Sequence, residues 1–133
     1  MSKLVDRAKE LRADETKHYN CAQGALVPFA EAKGIDAETA YQIAGNFGAG
    51  MKRAATCGAV TGALMALGLY GVEDPAVIGE FYRRLKENHQ GCLDCADLLR
   101  INKENGGNKK THCDNMVYEC VSLVEELLRD KSI

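Results

Sequence analysis

The chain has 133 residues, a formal net charge of −2 and a hydrophobic content of 46%. A chain of this length can bury a core without cross-links, so we expect one globular domain over residues 1–133. The weak negative charge excludes a general attraction to nucleic acid or anionic membrane. No apolar run has the length that membrane insertion requires.

Apolar residues recur with helical spacing through most of the chain, and no alternating strand pattern interrupts them. The spacing of Leu4, Val5, Ala8 and Leu11 predicts a first amphipathic helix that ends before His18. Asn20 is a natural N-cap for the second helix, because Gln23 lies at the capping-box position. Gly34 is typical of a residue that ends a helix and predicts the end of this one.

The next three helices also begin at residues typical of helix starts. Asp36 caps the third helix, which leads into a glycine-broken loop at residues 45–55. Thr56 is predicted to cap the fourth helix, and Gly71 to end it. The fifth helix follows the Asp74–Pro75 pair, since aspartate caps a helix and proline fits its first turn.

The C-terminal third of the chain is predicted to hold further helices separated by a loop. A short helix begins near Asp94, residues 102–111 form an exposed polar loop, and the last helix begins close to Cys113. Apolar residues from Met116 to Leu128 share one face of this last helix. The whole pattern predicts an all-α fold, a compact bundle of about six helices.

Six cysteines are the chemically distinctive residues of the chain. The N-terminal residues are charged throughout and lack the apolar segment of a signal peptide, so we expect a cytoplasmic protein. A reducing cytoplasm disfavours structural disulfides. Cysteines there more often serve catalysis, redox sensing or metal ligation.

Four of the cysteines are predicted in the first turns of four different helices. They are Cys21, Cys57, Cys95 and Cys113. Free backbone N–H groups and the positive end of the helix dipole stabilise a thiolate at this position, which lowers the thiol pKa. Thiolates act in both disulfide exchange and metal ligation, so these residues are candidate catalytic thiols and candidate metal ligands.

The two remaining cysteines have simpler interpretations. Cys120 lies on the apolar face of the last helix, where a free cysteine acts as a small hydrophobe. Cys92 forms a CxxC pair with Cys95 but lacks the strand context of thioredoxin-like proteins. A zinc site combining this pair with Cys113 and Cys120 fails if the last helix is continuous. In that case about 10 Å of helix separates its two cysteines, whereas zinc-bound sulfurs lie about 4 Å apart. A site of the four helix-terminal cysteines meets no such objection.

The fourth helix begins with small residues. Gly58, Gly62 and Ala66 are spaced four apart and form one flat stripe. Each glycine costs a helix about 1 kcal/mol relative to alanine, so the stripe needs a reason. It indicates close packing between helices, or clearance for a thiol or cofactor beside Cys57, or both. Gly58 and Gly62 are therefore candidate cofactor-contacting residues.

Four basic residues lie close in sequence to the candidate cysteines. Lys52 and Arg53 precede Cys57 and form solvated surface charge or add positive potential there. His18 and His112 each lie near a cysteine, where a histidine can act as a base or a metal ligand, although most lone histidines do neither. The glycines around residue 48 resemble a phosphate-binding loop only faintly, since no strand precedes them, and we exclude nucleotide binding.

Four short segments carry a family resemblance. They are NCAQ at residues 20–23, CGAVTGALMALGL at 57–69, CADLL at 95–99 and CDNMV at 113–117. Together they resemble the C-GCAxxG-C-C family, small single-domain bacterial and archaeal proteins described as redox-active, over about residues 18–128. The resemblance implies a site made of the family's four cysteines, here Cys21, Cys57, Cys95 and Cys113, beside the motif glycines Gly58 and Gly62. Cys92 and Cys120 lie outside the family pattern.

Three functions are compatible with these residues. The leading hypothesis is thiol–disulfide redox chemistry, with Cys57 as nucleophile and Cys21, Cys95 or Cys113 as resolving thiol. The second is ligation of an iron–sulfur cluster or zinc by the same four thiolates. The third is a partner-binding helical bundle whose cysteines are merely buried. The sequence identifies neither a substrate nor a redox partner, and an exposed face of the fourth helix leaves a homodimer open.

Overall fold

The computed structural model describes residues 3–131, and the regular elements in this range are helical. They are α1 (Lys3–Ala13), α2 (Cys21–Ala32), α3 (Ala37–Ile43), α4 (Gly58–Leu69), α5 (Pro75–Asn88), α6 (Cys95–Glu104) and α7 (Lys109–Asp130), with a π-helical turn at Gly50–Ala54. The all-α prediction is confirmed. The predicted number of about six helices is too low for the described range, which has seven α-helices and the additional π-helical turn of the glycine-broken segment.

The hydrophobic core forms where α4 packs against both α2 and α7. α4 is buried on most of its circumference, and the Ala59, Val60 and Leu67 side chains on it have no exposed surface. α1 covers α2 and α7, while α5 and α6 pack on α7. Within residues 3–131 no helix combines the length and the apolar composition needed to cross a membrane.

The glycine stripe of α4 is a helix-packing surface. A Cβ atom on Gly62 would lie 2.5 Å from the Ala22 carbonyl oxygen and 3.0 Å from the Ala25 Cβ atom. These distances are shorter than atoms tolerate, so the backbones of α2 and α4 approach this closely only because residue 62 has no side chain. This close contact confirms the packing interpretation for Gly62. A homodimer through another face of α4 stays a prediction.

Hydrogen bonds confirm most of the predicted helix starts. The Gln23 amide donates to the Asn20 side chain and the Asn20 amide donates to the Gln23 side chain, both at 2.8 Å, which completes the predicted capping box. The side chains of Asp36 and Asp74 accept from backbone amides at 3.0 and 2.9 Å. Gly34, with a φ of +80°, follows the end of α2 as predicted.

The start of α4 differs from the prediction by one residue. Its N-cap is Cys57, not Thr56. Thr56 instead pairs with Asp94 in an isolated antiparallel bridge, and the Cys57 amide donates to the Leu93 carbonyl at 2.8 Å. A pairing between segments so far apart in sequence leaves no local signal, which explains the error.

The polar segment before the last helix was predicted wrongly as a loop. α6 continues to Glu104, and α7 already begins at Lys109, where the Asn108 side chain accepts from the Thr111 amide at 3.1 Å. Polar helix ends resemble loops in hydropathy, and only the Asn108 cap distinguishes this one. Cys113 therefore lies in the second turn of α7 and not in its first. α7 runs unbroken through Cys120, which excludes the alternative zinc site that needed both residues.

Candidate functional site

A pocket of about 580 Å³ lies at the end of the bundle where α2, α4 and α6 begin and α7 passes alongside. Its lining includes all four predicted site cysteines, which are Cys21, Cys57, Cys95 and Cys113. Gly58 also lines the pocket, whereas Gly62 packs deeper against α2. Cys92 and Cys120 are not part of the lining. The volume falls in the range of small-molecule sites.

The bridge between the segments before α4 and α6 positions two of the thiols. The Cys57 amide donates to the Leu93 carbonyl at 2.8 Å, and the Cys95 amide donates to the Ala55 carbonyl at 2.6 Å. Cys57 and Cys95 are thus diagonal neighbours across an antiparallel pair, a relation that separates side chains by about 7–8 Å in regular sheets. A direct disulfide requires Cβ atoms about 3.5–4.5 Å apart. The bridge therefore brings these two thiols to one pocket, where both are free cysteines.

Gly58 creates the space in which Cys21 reaches the start of α4. A Cβ atom on Gly58 would lie 3.2 Å from the Cys21 Cβ atom and 2.9 Å from the Phe47 carbonyl oxygen. A thiol therefore does approach the region next to Cys57, as one interpretation of the stripe predicted. The two glycines therefore have different roles: Gly58 provides clearance at the pocket, and Gly62 allows α2 and α4 to pack closely.

Cys21 and Cys113 both line the pocket and interact there. A hydrogen-bonding interaction between the two thiols shifts the pKa of each. The bond from Cys21 lowers the pKa of Cys113, burial opposes this, and the positive charges of Arg12 and Lys109 lower it further. The same bond, together with burial, raises the pKa of Cys21. A thiolate on Cys113 is therefore stabilised by the Cys21 thiol and by these two positive charges.

Arg12 is held in place beside this pair. Its Nε atom donates to the Asp114 carboxylate and its Nη1 atom donates to the Tyr19 carbonyl, both at 2.8 Å. The Arg12 side chain is only 10% exposed, so its charge acts through a medium less polar than water. Its favourable electrostatic effect reaches both thiols of the pair, as the lowering contributions to the pKa of Cys21 and of Cys113 indicate.

Burial overrides the predicted effect of the helix dipole at the other site cysteines. Cys57 is 6% exposed, and this burial raises its pKa to about 11 although the Ala59 and Val60 amides favour the thiolate. Burial likewise raises the pKa of Cys95. The expectation of a lowered thiol pKa at a helix N-terminus is therefore wrong for Cys57 and Cys95, and also for Cys21, whose pKa is raised mainly by its interaction with Cys113. The pKa of Cys113 is lowered, but by Cys21 and nearby cations and not by a helix N-terminus. Cys120 is fully buried, and burial raises its pKa, as expected for a cysteine that acts as a hydrophobe.

Basic residues surround the thiols, and the lining contains no aspartate or glutamate. The basic members are Arg12, His18, Lys52, Arg53, Lys109 and His112. Lys52 and Arg53 thus lie at the pocket, as the interpretation that they add positive potential near Cys57 required. Arg12 was not identified from the sequence because it lies far along the chain from Cys113. Lys109 was not identified because its segment was predicted as a loop.

The segment that carries Lys52 and Arg53 has unusual backbone geometry. Ala49, Met51, Lys52 and Ala54 all have φ values between +52° and +59°. Gly50 could not accept a side chain, because a Cβ atom there would lie 2.5 Å from the Ala55 carbonyl oxygen and 2.9 Å from the Cys95 Cβ atom. The glycines of the sequence predicted a break in the helix here, but left-handed alanine, methionine and lysine residues could not be predicted from residue type.

The described chain is an all-helical bundle that gathers cysteines from four helices around one basic pocket. Residues 19–127 match the family described as "Putative redox-active protein (C_GCAxxG_C_C)", and the chain belongs to this family. The resemblance found in the sequence is thereby confirmed. Neither the curated proteins nor the solved structures include a significant match to this chain.

Proposed function

We propose that this protein is a dithiol–disulfide redox protein in which Cys113 is the attacking thiol and Cys21 is the resolving thiol. The observation that carries this proposal is that Cys21 and Cys113 line one accessible pocket, where the Cys21 thiol favours a thiolate on Cys113. The family description supports redox activity in general terms. A reducing cytoplasm, which we propose as the compartment, would regenerate the dithiol form.

The two thiols can exchange two electrons with a disulfide substrate. The Cys113 thiolate attacks one substrate sulfur, forms a mixed disulfide and releases the other half of the substrate as a thiolate. The Cys21 sulfur then attacks the Cys113 sulfur, which forms the Cys21–Cys113 disulfide and releases the second half. The proton of Cys21 ends on a released thiolate. The substrate gains two electrons, and the protein dithiol loses them.

Cys57 is the less suitable nucleophile, although the sequence favoured it. Its 6% exposure limits access, and its raised pKa keeps it in the thiol form near neutral pH. Cys113 is only partly buried and carries the lowered pKa. We assign Cys57 and Cys95 no step in this proposal.

The test is to identify the first disulfide that forms. The fully reduced protein is treated with a limiting amount of hydroxyethyl disulfide, quenched in acid and mapped by mass spectrometry. We expect the Cys21–Cys113 disulfide to form first. It should form at the same rate in Cys92→Ser, since Cys92 lies outside the pocket. Cys21→Ser should trap the mixed disulfide on Cys113. A first disulfide between Cys92 and Cys95, or one that includes Cys57, would contradict the proposal.

Metal ligation by the four site cysteines is a second candidate function. Four thiols around one pocket without a carboxylate supply the donors that iron–sulfur clusters and tetrahedral zinc accept. In this conformation, however, no three His, Cys, Asp or Glu side chains of residues 3–131 lie close enough to hold one metal ion. Ligation would therefore require the thiols to move together, and we derive no step through a metal.

Anaerobic purification separates the two candidates. Iron, acid-labile sulfide and zinc are measured on the freshly purified protein, alongside its absorption spectrum. Under the dithiol proposal we expect a folded protein without stoichiometric metal that still forms the Cys21–Cys113 disulfide reversibly. Stoichiometric metal that is lost in Cys57→Ser and Cys95→Ser, but retained in Cys92→Ser, would establish ligation instead.

A further inference from the structure

Three cations at the cysteine pocket have no anionic partner among residues 3–131. Lys52, Arg53 and Lys109 line the pocket and are exposed. In the described part of the chain, no carboxylate lies within ion-pairing distance of any of them. The Lys52 amine donates instead to the neutral Asn46 side chain at 2.8 Å. The entrance to the thiols therefore has a positive potential that the protein itself does not neutralise.

The pocket lining differs in charge from other parts of the described chain. Several basic side chains elsewhere form ion pairs, for example Arg7 with Glu31, Lys17 with Glu38 and Arg100 with Glu104. The chain contains 19 acidic and 17 basic residues. A lining with basic residues and without an acidic one therefore reflects a local arrangement and not the overall charge.

The backbone holds two of these cations at the pocket under strain. A left-handed conformation costs an L-residue roughly 1–2 kcal/mol, and four non-glycine residues of this segment adopt it. The Ala55 amide closes the turn on the Gly50 carbonyl at 2.9 Å, and Gly50 packs against Cys95. Strained backbone of this kind persists where surrounding contacts enforce it, and it occurs frequently at ligand sites.

The geometry points to a substrate class, and this inference rests on the dithiol function proposed above. We infer that the pocket receives a carboxylate-bearing low-molecular-weight disulfide, whose negative groups contact Lys52, Arg53 and Lys109 while one of its sulfurs meets Cys113. A pocket of about 580 Å³ suits a small molecule. The Cys113 thiolate forms a mixed disulfide with one half of the substrate and releases the other as a thiolate, and Cys21 then displaces the bound half. Two electrons pass to the substrate, which leaves as one thiolate and one thiol that carries the proton of Cys21.

The test compares three disulfides of different charge on the reduced full-length protein. The probes are glutathione disulfide, which is anionic, hydroxyethyl disulfide, which is neutral, and cystamine, which is cationic. The variant is Lys52→Asn/Arg53→Gln, because asparagine tolerates the left-handed backbone of residue 52. The matched control is Lys86→Ser/Lys103→Ser, which removes the same charge from exposed positions away from the pocket.

Removal of the two pocket cations should slow oxidation by glutathione disulfide by about tenfold, as expected for the loss of electrostatic attraction. It should change the rate of oxidation by hydroxyethyl disulfide by less than about twofold and increase the rate of oxidation by cystamine. The control should retain the wild-type order of rates, and added salt should slow only the anionic probe. Equal effects on all three probes, or a control that matches the pocket variant, would overturn the substrate class while the dithiol function stands. If no probe forms the Cys21–Cys113 disulfide, the function itself fails.

Discussion

Cys113→Ser is expected to lower the alkylation rate of the protein by iodoacetamide near neutral pH by about tenfold or more. The thiolate is the reactive form, and each unit of pKa changes its fraction by a factor of ten below the pKa. Cys113 is the pocket cysteine whose pKa is lowered, whereas burial raises the pKa of Cys57 and Cys95, and the interaction with Cys113 together with burial raises that of Cys21. The comparison is made in a Cys92→Ser background, because Cys92 is a partly exposed thiol outside the pocket.

The pH dependence of the alkylation rate tests the direction in which the pKa of Cys113 is shifted. With its pKa lowered, Cys113 should be alkylated at a pH where ordinary cysteines remain protonated, so the rate should rise early between about pH 5 and pH 9 and then level off. Without Cys113 the rise should move to higher pH. Peptide mapping identifies the modified residue, and wild-type protein that is labelled first at Cys57 would contradict the assignment.

Two substitutions of Cys21 test the origin of the lowered pKa. Serine retains a hydroxyl that can donate to the Cys113 sulfur, whereas alanine has no donor. We therefore expect Cys21→Ala to move the Cys113 alkylation profile to higher pH by more than Cys21→Ser does. Identical profiles for the two variants would assign the effect to Arg12 and Lys109 alone, the remaining causes that lower this pKa.

Local features of the sequence were sufficient for much of the fold. The Asn20 capping box and the aspartate at residue 36 act within one helical turn, so their residue types alone indicate where helices begin. The start of α7 was missed because lysine and threonine around residue 110 are as typical of a loop as of a helix end. That error changed the electrostatic environment predicted for Cys113.

The site was only partly predictable, because its chemistry depends on contacts between distant segments. Cys21 and Cys113 meet through packing of α2 on α7, and no local pattern pairs them. Residue spacing indicated a helix dipole at Cys57 but not the burial that outweighs it. The basic lining without acidic residues likewise forms only when the fold brings Arg12, Lys52 and Lys109 together.

Gly62→Ala is expected to lower the free energy of unfolding by about 2 kcal/mol or more, although alanine is the better helix former. The new Cβ atom would lie 2.5 Å from the Ala22 carbonyl oxygen and 3.0 Å from the Ala22 Cα atom. Both neighbours belong to the backbone and cannot rotate away, so α2 and α4 must separate, and overpacking of this kind costs about 1–3 kcal/mol or more. Urea denaturation of the wild type and the variant measures the difference.

Gly68→Ala is the matched control on the same helix. No atom lies within 4 Å of the Cβ position at Gly68, which is exposed, so the substitution should raise stability by up to about 1 kcal/mol through helix propensity. Equal stabilisation by both substitutions would show that α2 and α4 do not pack as closely as described. Because Ala22 adjoins Cys21, the separation forced by Gly62→Ala should also move Cys21 from Cys113, so this variant should form the Cys21–Cys113 disulfide more slowly even at temperatures where it remains folded.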